Sequence, residues 1–269
     1  MEALHLKDRA IIAVEGGEAR DFLQGLITND LAALAPGRGL YAALLTPQGK
    51  ILFDFLVVEG DGAILVDCAA HHTEALLKRL TMYRLRARIG IELRPQLSVF
   101  VGLSGRPGER AVTFTDPRLA ALGPRSIGAV AEMPDFLEGP APYHALRVAL
   151  GVPEGTDFGS DKVFALDAGL EELHGVSFAK GCYVGQELTA RMKHRGTARK
   201  RILGVKAGSA LPPAGTAIMS NAAEIGEILS SYGSAGFALV RLDRLEKATV
   251  PLTANNLAIT VLRPEWLGP

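Results

Sequence analysis

Eight consecutive residues of the 269-residue chain gather most of its chemistry: Lys180-Gly-Cys182-Tyr183-Val-Gly185-Gln186-Glu187. A cation, a thiol, a phenol and a carboxylate lie within them, spaced by two glycines. Gln186 to Arg195 has the pattern of a short helix, with Gly185 ahead of it and Gly196 where a left-handed residue closes a helix. Glu187 falls in its first turn and Lys193 and Arg195 in its last, which suits the helix dipole. Cys182 therefore lies just ahead of a helix N-terminus and two residues from Lys180. Both neighbours favour thiolate over thiol, and a thiolate is a nucleophile and a metal ligand. The plainer alternative makes the glycines turn formers, Glu187 a complement to the dipole and Cys182 a small buried apolar residue.

A second carboxylate, Asp54, sits in the strand-like run Ile51-Leu-Phe-Asp-Phe-Leu-Val-Val58. Alternation places Leu52, Asp54, Leu56 and Val58 on one face and Ile51, Phe53, Phe55 and Val57 on the other. An acid in such company must be hydrogen-bonded or carry a displaced pKa. His71 and His72 are adjacent on a predicted helix and point to different faces, a poor metal pair. Cys68 belongs to the apolar strand Ala63 to Cys68. Two distant cysteines supply neither a disulfide framework nor the four ligands of a zinc or iron–sulfur site within one chain, so no resident metal is expected.

The elements that must position these groups follow from the apolar periodicity. Ala10 to Val14 reads as a strand, Glu18 to Leu26 as a helix, and Thr28-Asn29-Asp30 as a polar turn. Leu40 to Leu45 and Ile51 to Val58 form a hairpin through Thr46-Pro-Gln-Gly-Lys50, and Ala63 to Cys68 is a third strand. Ala70 to Arg88 is the longest helical candidate, with Leu76, Leu77, Leu80 and Tyr83 as its stripe. Its cations Lys78, Arg79, Arg84, Arg86 and Arg88 form either a solvated face or a receptor for an anionic tail such as a phosphate or polyglutamate. Short strands then run from Ile89 to Val130, interrupted by a glycine-rich loop, Gly102 to Gly108, that has neither dinucleotide nor P-loop spacing. Tyr143 to Leu150 and Ala165 to Leu173 read as short helices. After Thr197 the pieces Ile202 to Val205, Glu224 to Leu229, Phe237 to Arg241 and Leu257 to Leu262 alternate with turn signals, the texture of a small all-β barrel or sandwich.

Composition bounds the rest. With 48% apolar residues the chain can bury a sizeable core. Lysine plus arginine equals aspartate plus glutamate, 29 each, so no global basic field draws nucleic acid. No apolar run reaches the roughly 20 residues of a membrane span. The mixed charges of Met1 to Arg9 suit neither a signal peptide nor a transit peptide. A cytoplasmic protein is expected, or one of the mitochondrial matrix if the source is eukaryotic, although no transit peptide is visible.

The octapeptide, with Ala190-Arg191 and Arg195-Gly196 after it, resembles the signature of the YgfZ family. These are folate-binding relatives of the glycine cleavage T-protein (aminomethyltransferase), implicated in maturation of iron–sulfur enzymes. Phe22 to Gly25, Thr28 to Asp30, Pro47 to Lys50 with Asp54, Arg147 through Pro153 to Asp157, Ile225-Gly226 and Ala238-Leu239 also look like family positions. The resemblance implies an α+β fold, the T-protein cloverleaf. Two α+β lobes, possibly interleaved, would fill residues 1–195 as the folate-binding region, and a C-terminal β-barrel would fill 196–269.

The resemblance also assigns roles. Cys182, Lys180 and Asp54 become the catalytic candidates. Glu187 would accept the pterin edge in a bidentate pair, Tyr183 would pack on the pterin, and Arg191 and Arg195 would meet the glutamyl tail, with Gln186 and Asp54 also at the tetrahydrofolate site. The T-protein shows two adjacent acids where this chain has Phe53-Asp54, and it lacks the cysteine. The expected function is a tetrahydrofolate-binding accessory protein for assembly or repair of iron–sulfur clusters. Cys182 would handle iron, sulfide or a one-carbon adduct, or form a mixed disulfide. The alternatives are a folate-dependent one-carbon (aminomethyl) transferase and a plain interaction module. The expected partners are folate and iron–sulfur assembly proteins or client iron–sulfur enzymes, with no direct nucleic acid and no membrane; any effect on tRNA modification would be indirect.

Overall fold

The computed structural model describes residues 3–102, 107–196 and 199–268. The chain runs through β1 (Leu4–His5), β2 (Arg9–Glu15), α1 (Ala19–Gln24), β3 (Leu40–Leu45), β4 (Ile51–Gly60), β5 (Ala63–Ala69), α2 (Thr73–Arg84) and β6 (Gly90–Leu93). It continues through β7 (Ser98–Val101), β8 (Val112–Thr115), β9 (Pro124–Gly128), β10 (Leu137–Glu138), α3 (Ala141–Ala149), α4 (Gly155–Phe158) and α5 (Gln186–Arg195). The C-terminal part holds β11 (Lys200–Ala207), β12 (Ala217–Ser220), β13 (Ala223–Tyr232), β14 (Ala235–Arg241), α6 (Leu242–Leu245), β15 (Leu252–Ala254) and β16 (Leu257–Leu262).

Two five-stranded sheets and a closed barrel result, an α+β fold with a C-terminal all-β barrel. The first sheet has the order β3-β4-β5-β2-β6 and the second β10-β1-β7-β9-β8. Because β1 pairs with β7 and β10, the chain starts in the second lobe, builds the first and returns, so the two lobes interleave. The barrel closes in the order β11-β14-β13-β12-β15-β16, with β16 paired back onto β11. Closure leaves no free strand edge. Asn255 and Asn256 both adopt positive φ, which a tight two-residue hairpin between β15 and β16 demands.

The first sheet sorts its side chains into two cores. Ile12, Val14, Phe53, Phe55, Val57 and Val66 face outward beneath Leu23 of α1 and Leu76 and Leu80 of α2. Ile11, Ala13, Tyr41, Leu56, Val58 and Leu65 face inward, where they meet Val99 and Ile127 of the second sheet, Val148 of α3 and Ile202 and Phe237 of the barrel. The central core is therefore shared by all three units. A register shift between Leu44 and Leu45 displaces the start of β4. Ile51 consequently joins the inner face and Leu52 the outer, the reverse of strict alternation.

Other differences have local causes. The predicted helix 70–88 is shorter: Ala70–His72 is a 3-10 turn, and α2 stops at Arg84 because Leu85 turns to φ 44. In that 3-10 turn the His71 and His72 rings do not diverge but lie 4.0 Å apart. Residues 165–173 form successive turns and no helix, since Gly169 takes φ 74 and Leu170 N–H reaches back to the Ala165 carbonyl. Short β12 and β15 escaped the sequence reading. Residues 103–106 of the glycine-rich loop lie outside the described residues.

Candidate functional site

The octapeptide loop is fastened to the first lobe by backbone carbonyls. Lys180, 7% exposed, donates from Nζ to the carbonyls of Gln24, Ile27 and Asn29 at 2.7, 2.7 and 2.8 Å. Burial pushes its pKa down to about 8, against the pull of Asp30. Lys180 is thus an anchor of the loop. The Thr28-Asn29-Asp30 turn completes the fastening. Thr28 Oγ1 donates to the Gly175 carbonyl at 2.6 Å, and Asn29 Nδ2 donates to the carbonyls of Tyr41 and His174, both at 2.7 Å. Asp30 in turn accepts from Gln24 Nε2 and from Ala32 N–H.

Two glycines let the loop lie against the β3–β4 hairpin. Gly185 has φ 81, and a Cβ there would strike the Thr46 carbonyl and sit 2.8 Å from Leu45 Cβ. Gly49, across the contact, has φ 79 and would meet the Gly185 carbonyl at 3.3 Å. No side chain fits between these backbones. At this edge the chain alternates: Tyr183 turns into the central core and Val184 into the outer one. Tyr183 lies under the Lys180 ammonium, 5.1 Å from its ring centroid, and its buried hydroxyl has no hydrogen-bond partner.

Cys182 stands exposed on this fixed loop, which removes the alternative of a small buried apolar residue. Helix α5 begins at Gln186 and ends with Gly196 at φ 57, with the bounds read from the sequence. Gln186 is half-buried. The Glu187 side chain is 90% exposed and lies 3.6 Å from Arg191, its neighbour one turn on. Glu187 and Arg191 are therefore partners of each other. Arg195 is exposed in the last turn.

Asp54 belongs to a different place. It is 5% exposed on the inner face, where Oδ2 accepts from the Tyr41 hydroxyl at 3.0 Å and Oδ1 from Gly155 N–H at 2.9 Å. Burial raises its pKa, and the nearby Glu154 adds to this. A side chain at residue 155 would collide with Asp54, so the carboxylate is sealed beneath the α4 backbone.

Around Asp54 lies a buried ionic cluster that sequence reasoning missed. Arg118 donates to Asp116 Oδ2 and Glu154 Oε1, both at 2.7 Å, and to the Tyr143 hydroxyl at 2.6 Å. Arg9 and Arg125 each donate to Asp67 at 2.6 Å. Arg147 binds Asp157, which also accepts from Ser230 Oγ at 2.7 Å and the Tyr232 hydroxyl at 2.9 Å on the barrel. Burial alone would raise the pKa of Glu154, but Arg118, Arg147 and Arg9 outweigh it and hold the carboxyl well below the usual range. The cluster bolts the first sheet, the second lobe and the barrel together. Besides the Arg147-to-Asp157 segment, its sequence signal is Asp116-Pro117-Arg118, where Asp116 Oδ1 accepts from Arg118 N–H at 3.1 Å in the kind of local turn that aspartate favours.

A polar cleft of about 700 Å³ adjoins the loop anchor and shares Asn29 and Ser177 with it; Arg38, Asp116, Glu171 and His174 line it as well. Among the described residues no group of three or more His, Cys, Asp or Glu side chains is arranged to hold a metal ion. No helix among them is long and apolar enough to cross a membrane.

Comparison with known proteins adds to this geometry. Residues 199–269 match the family model of the CAF17 C-terminal beta-barrel domain. The chain is 32% identical to the mitochondrial iron–sulfur cluster assembly factor IBA57 of Mus musculus and 33% identical to that of Homo sapiens, in each case over 97% of this chain and 84% of the relative. A homologue from Neurospora crassa is 32% identical over 74% of this chain and 52% of its own length. The glycine cleavage system aminomethyltransferase T of Bartonella henselae superposes with a TM-score of 0.76 over 98% of this chain and 85% of that one; at 17% identity this likeness concerns the fold.

Proposed function

The chain belongs to the IBA57 family of iron–sulfur cluster assembly factors, the eukaryotic relatives of the YgfZ proteins, and we propose that within this role Cys182 is the residue that meets the cluster. The observation behind this reading is the exposed thiol on a loop held by the Lys180 anchor and the Gly185–Gly49 contact. On losing its proton, the Cys182 thiolate donates a lone pair to an iron of the cargo, and no electrons change hands. One thiolate cannot complete a cluster's ligand set. The remaining ligands come from a partner, an assembly protein or a client enzyme. Substitution tests the reading. Because the side chain is exposed, Cys182→Ala should fold normally yet fail to restore iron–sulfur enzyme activity in a deletion strain. Restoration equal to wild type would end the proposal.

Tetrahydrofolate is the second element of the reading, supported by the T-protein fold and by the residues around α5. Glu187 offers an open carboxylate to a pterin edge, at the expense of its contact with Arg191. Folate bound there would supply a one-carbon carrier. Asp54 does not fit that chemistry, because both of its oxygens are engaged and it lies sealed under Gly155. This favours binding over aminomethyl transfer. Anaerobic calorimetric titration of tetrahydrofolate should show binding that weakens at least tenfold, about 1.4 kcal/mol, in Glu187→Ala. Absence of binding to the wild type would remove folate from the reading and leave the thiol standing. The mammalian relatives are mitochondrial by name, and for a eukaryotic source the same compartment is inferred. Effects on tRNA modification would then arise through iron–sulfur client enzymes.

A further inference from the structure

We propose that the tip at which α2 ends is a docking site for an acidic protein surface bearing an apolar socket. Leu85 is 87% exposed and Met82 61%, more than any other large apolar side chain among the described residues. Leu85 adopts φ 44 and ψ −104, a conformation strained for a leucine and open to a glycine. The turn therefore gains nothing from this side chain, and the core gains nothing either, since α2 already buries Leu76 and Leu80.

Every charge from residue 78 to residue 88 is a cation. Lys78, Arg84 and Arg86 are exposed and Arg79 is half-buried. The ion pairs of the described residues take Arg88 to Glu18 at 3.0 Å but leave Lys78, Arg79, Arg84 and Arg86 without a carboxylate. The acid of α2, Glu74, lies in the first turn, about 16 Å along the chain direction from Leu85 at the helical rise. An apolar knob within a cationic rim on a protein of zero net charge is complementary to an apolar socket with a carboxylate rim. Nucleic acid would engage the arginines but has no place for Leu85, and two apolar side chains fall short of the face that holds a helix on a bilayer. Helices α1 and α2 and Val184 of the octapeptide share one outer core, with α2 beside β6 and the octapeptide against the β3–β4 hairpin, at opposite edges of the first sheet. The docking surface does not depend on what Cys182 does.

The test is site-specific photocrosslinking in the full-length chain within cells, with p-benzoylphenylalanine in place of Leu85 or, as reference, of Leu137, which is 49% exposed on the second sheet. The expected result is one protein adduct, identified by mass spectrometry, at position 85 and absent at 137. That protein, once purified, should bind the wild-type chain with an affinity that falls as salt rises and drops at least tenfold in Arg84→Glu/Arg86→Glu. Leu85→Gly relieves the backbone strain and should be at least as stable as wild type, yet bind the same protein at least tenfold more weakly. Equal adducts at both positions, no protein adduct, or binding unmoved by the charge reversal overturns the proposal. So does cosedimentation with phosphatidylglycerol vesicles that the charge reversal abolishes, which would assign the tip to lipid.

Discussion

The ammonium of Lys180 meets the carbonyl of Ile27 at 2.7 Å across 153 residues of sequence, and the same nitrogen also holds the carbonyls of Gln24 and Asn29. Lys180→Met keeps the length of the side chain but leaves these acceptors without a donor. A loss of about 2–4 kcal/mol is expected, read as a lower urea midpoint together with faster proteolysis at the octapeptide loop. Lys180→Arg should recover only part of it, since a planar fork cannot direct three donors as an ammonium does. A midpoint unchanged in Lys180→Met would mean that the anchor is idle.

A second prediction concerns the bolt between lobe and barrel. Arg147 Nη1 and Asp157 Oδ2 lie 2.5 Å apart with both side chains fully buried. Removing either partner strands a charge, so Arg147→Met or Asp157→Leu alone should cost about 3–5 kcal/mol. The double variant removes both charges and should be destabilised by clearly less than the sum of the two. Denaturant melts of the four proteins give the coupling directly, and simple additivity would show that the pair does not act as a unit.

The octapeptide helix and the β3–β4 hairpin were legible because their signals are local. Gly185 and Gly196 bracket α5, and Thr46-Pro-Gln-Gly-Lys50 forces the chain to reverse between two apolar runs. Cys182 and Glu187 could be picked out for the same reason, being fixed by their neighbours in sequence. The role of Lys180 was not legible, since its acceptors lie more than 150 residues away. Nor was the ionic cluster, whose Arg125–Asp67 and Arg118–Glu154 contacts span 58 and 36 residues. Arginines and acids scattered along a neutral chain look like surface until the topology folds them inward. The bulge at Leu44 and the turn at Leu85 are of a third kind, one-residue events that shift a register or end a helix without a glycine or proline to announce them.

Asp167 gives a prediction with a pH signature. It is 6% exposed where the central turns meet the barrel, and its carbonyl accepts from Ile202 N–H of β11 at 2.8 Å. Burial pushes its carboxyl up to about 6 from an ordinary 3.8, and Arg201 and Lys200 only partly oppose this. Between those two values the folded chain holds more protons here than the unfolded one, so the contribution of Asp167 to stability falls as pH rises from about 4 to about 6. Above pH 6 the full cost of the buried charge is borne. Asp167→Asn removes that charge, and at pH 7.5 it should stabilise the protein by up to about 3 kcal/mol, or some 2–4 °C in thermal midpoint for each kcal/mol at this size. Near pH 4 and below, the wild-type carboxyl is protonated in the folded state, and the advantage of the variant should vanish. Thermal melts of both proteins across this range check the sign. A variant that melts lower at every pH would instead show that the charged carboxylate holds Arg201 and Lys200 at the start of the barrel, and that its burial is no burden.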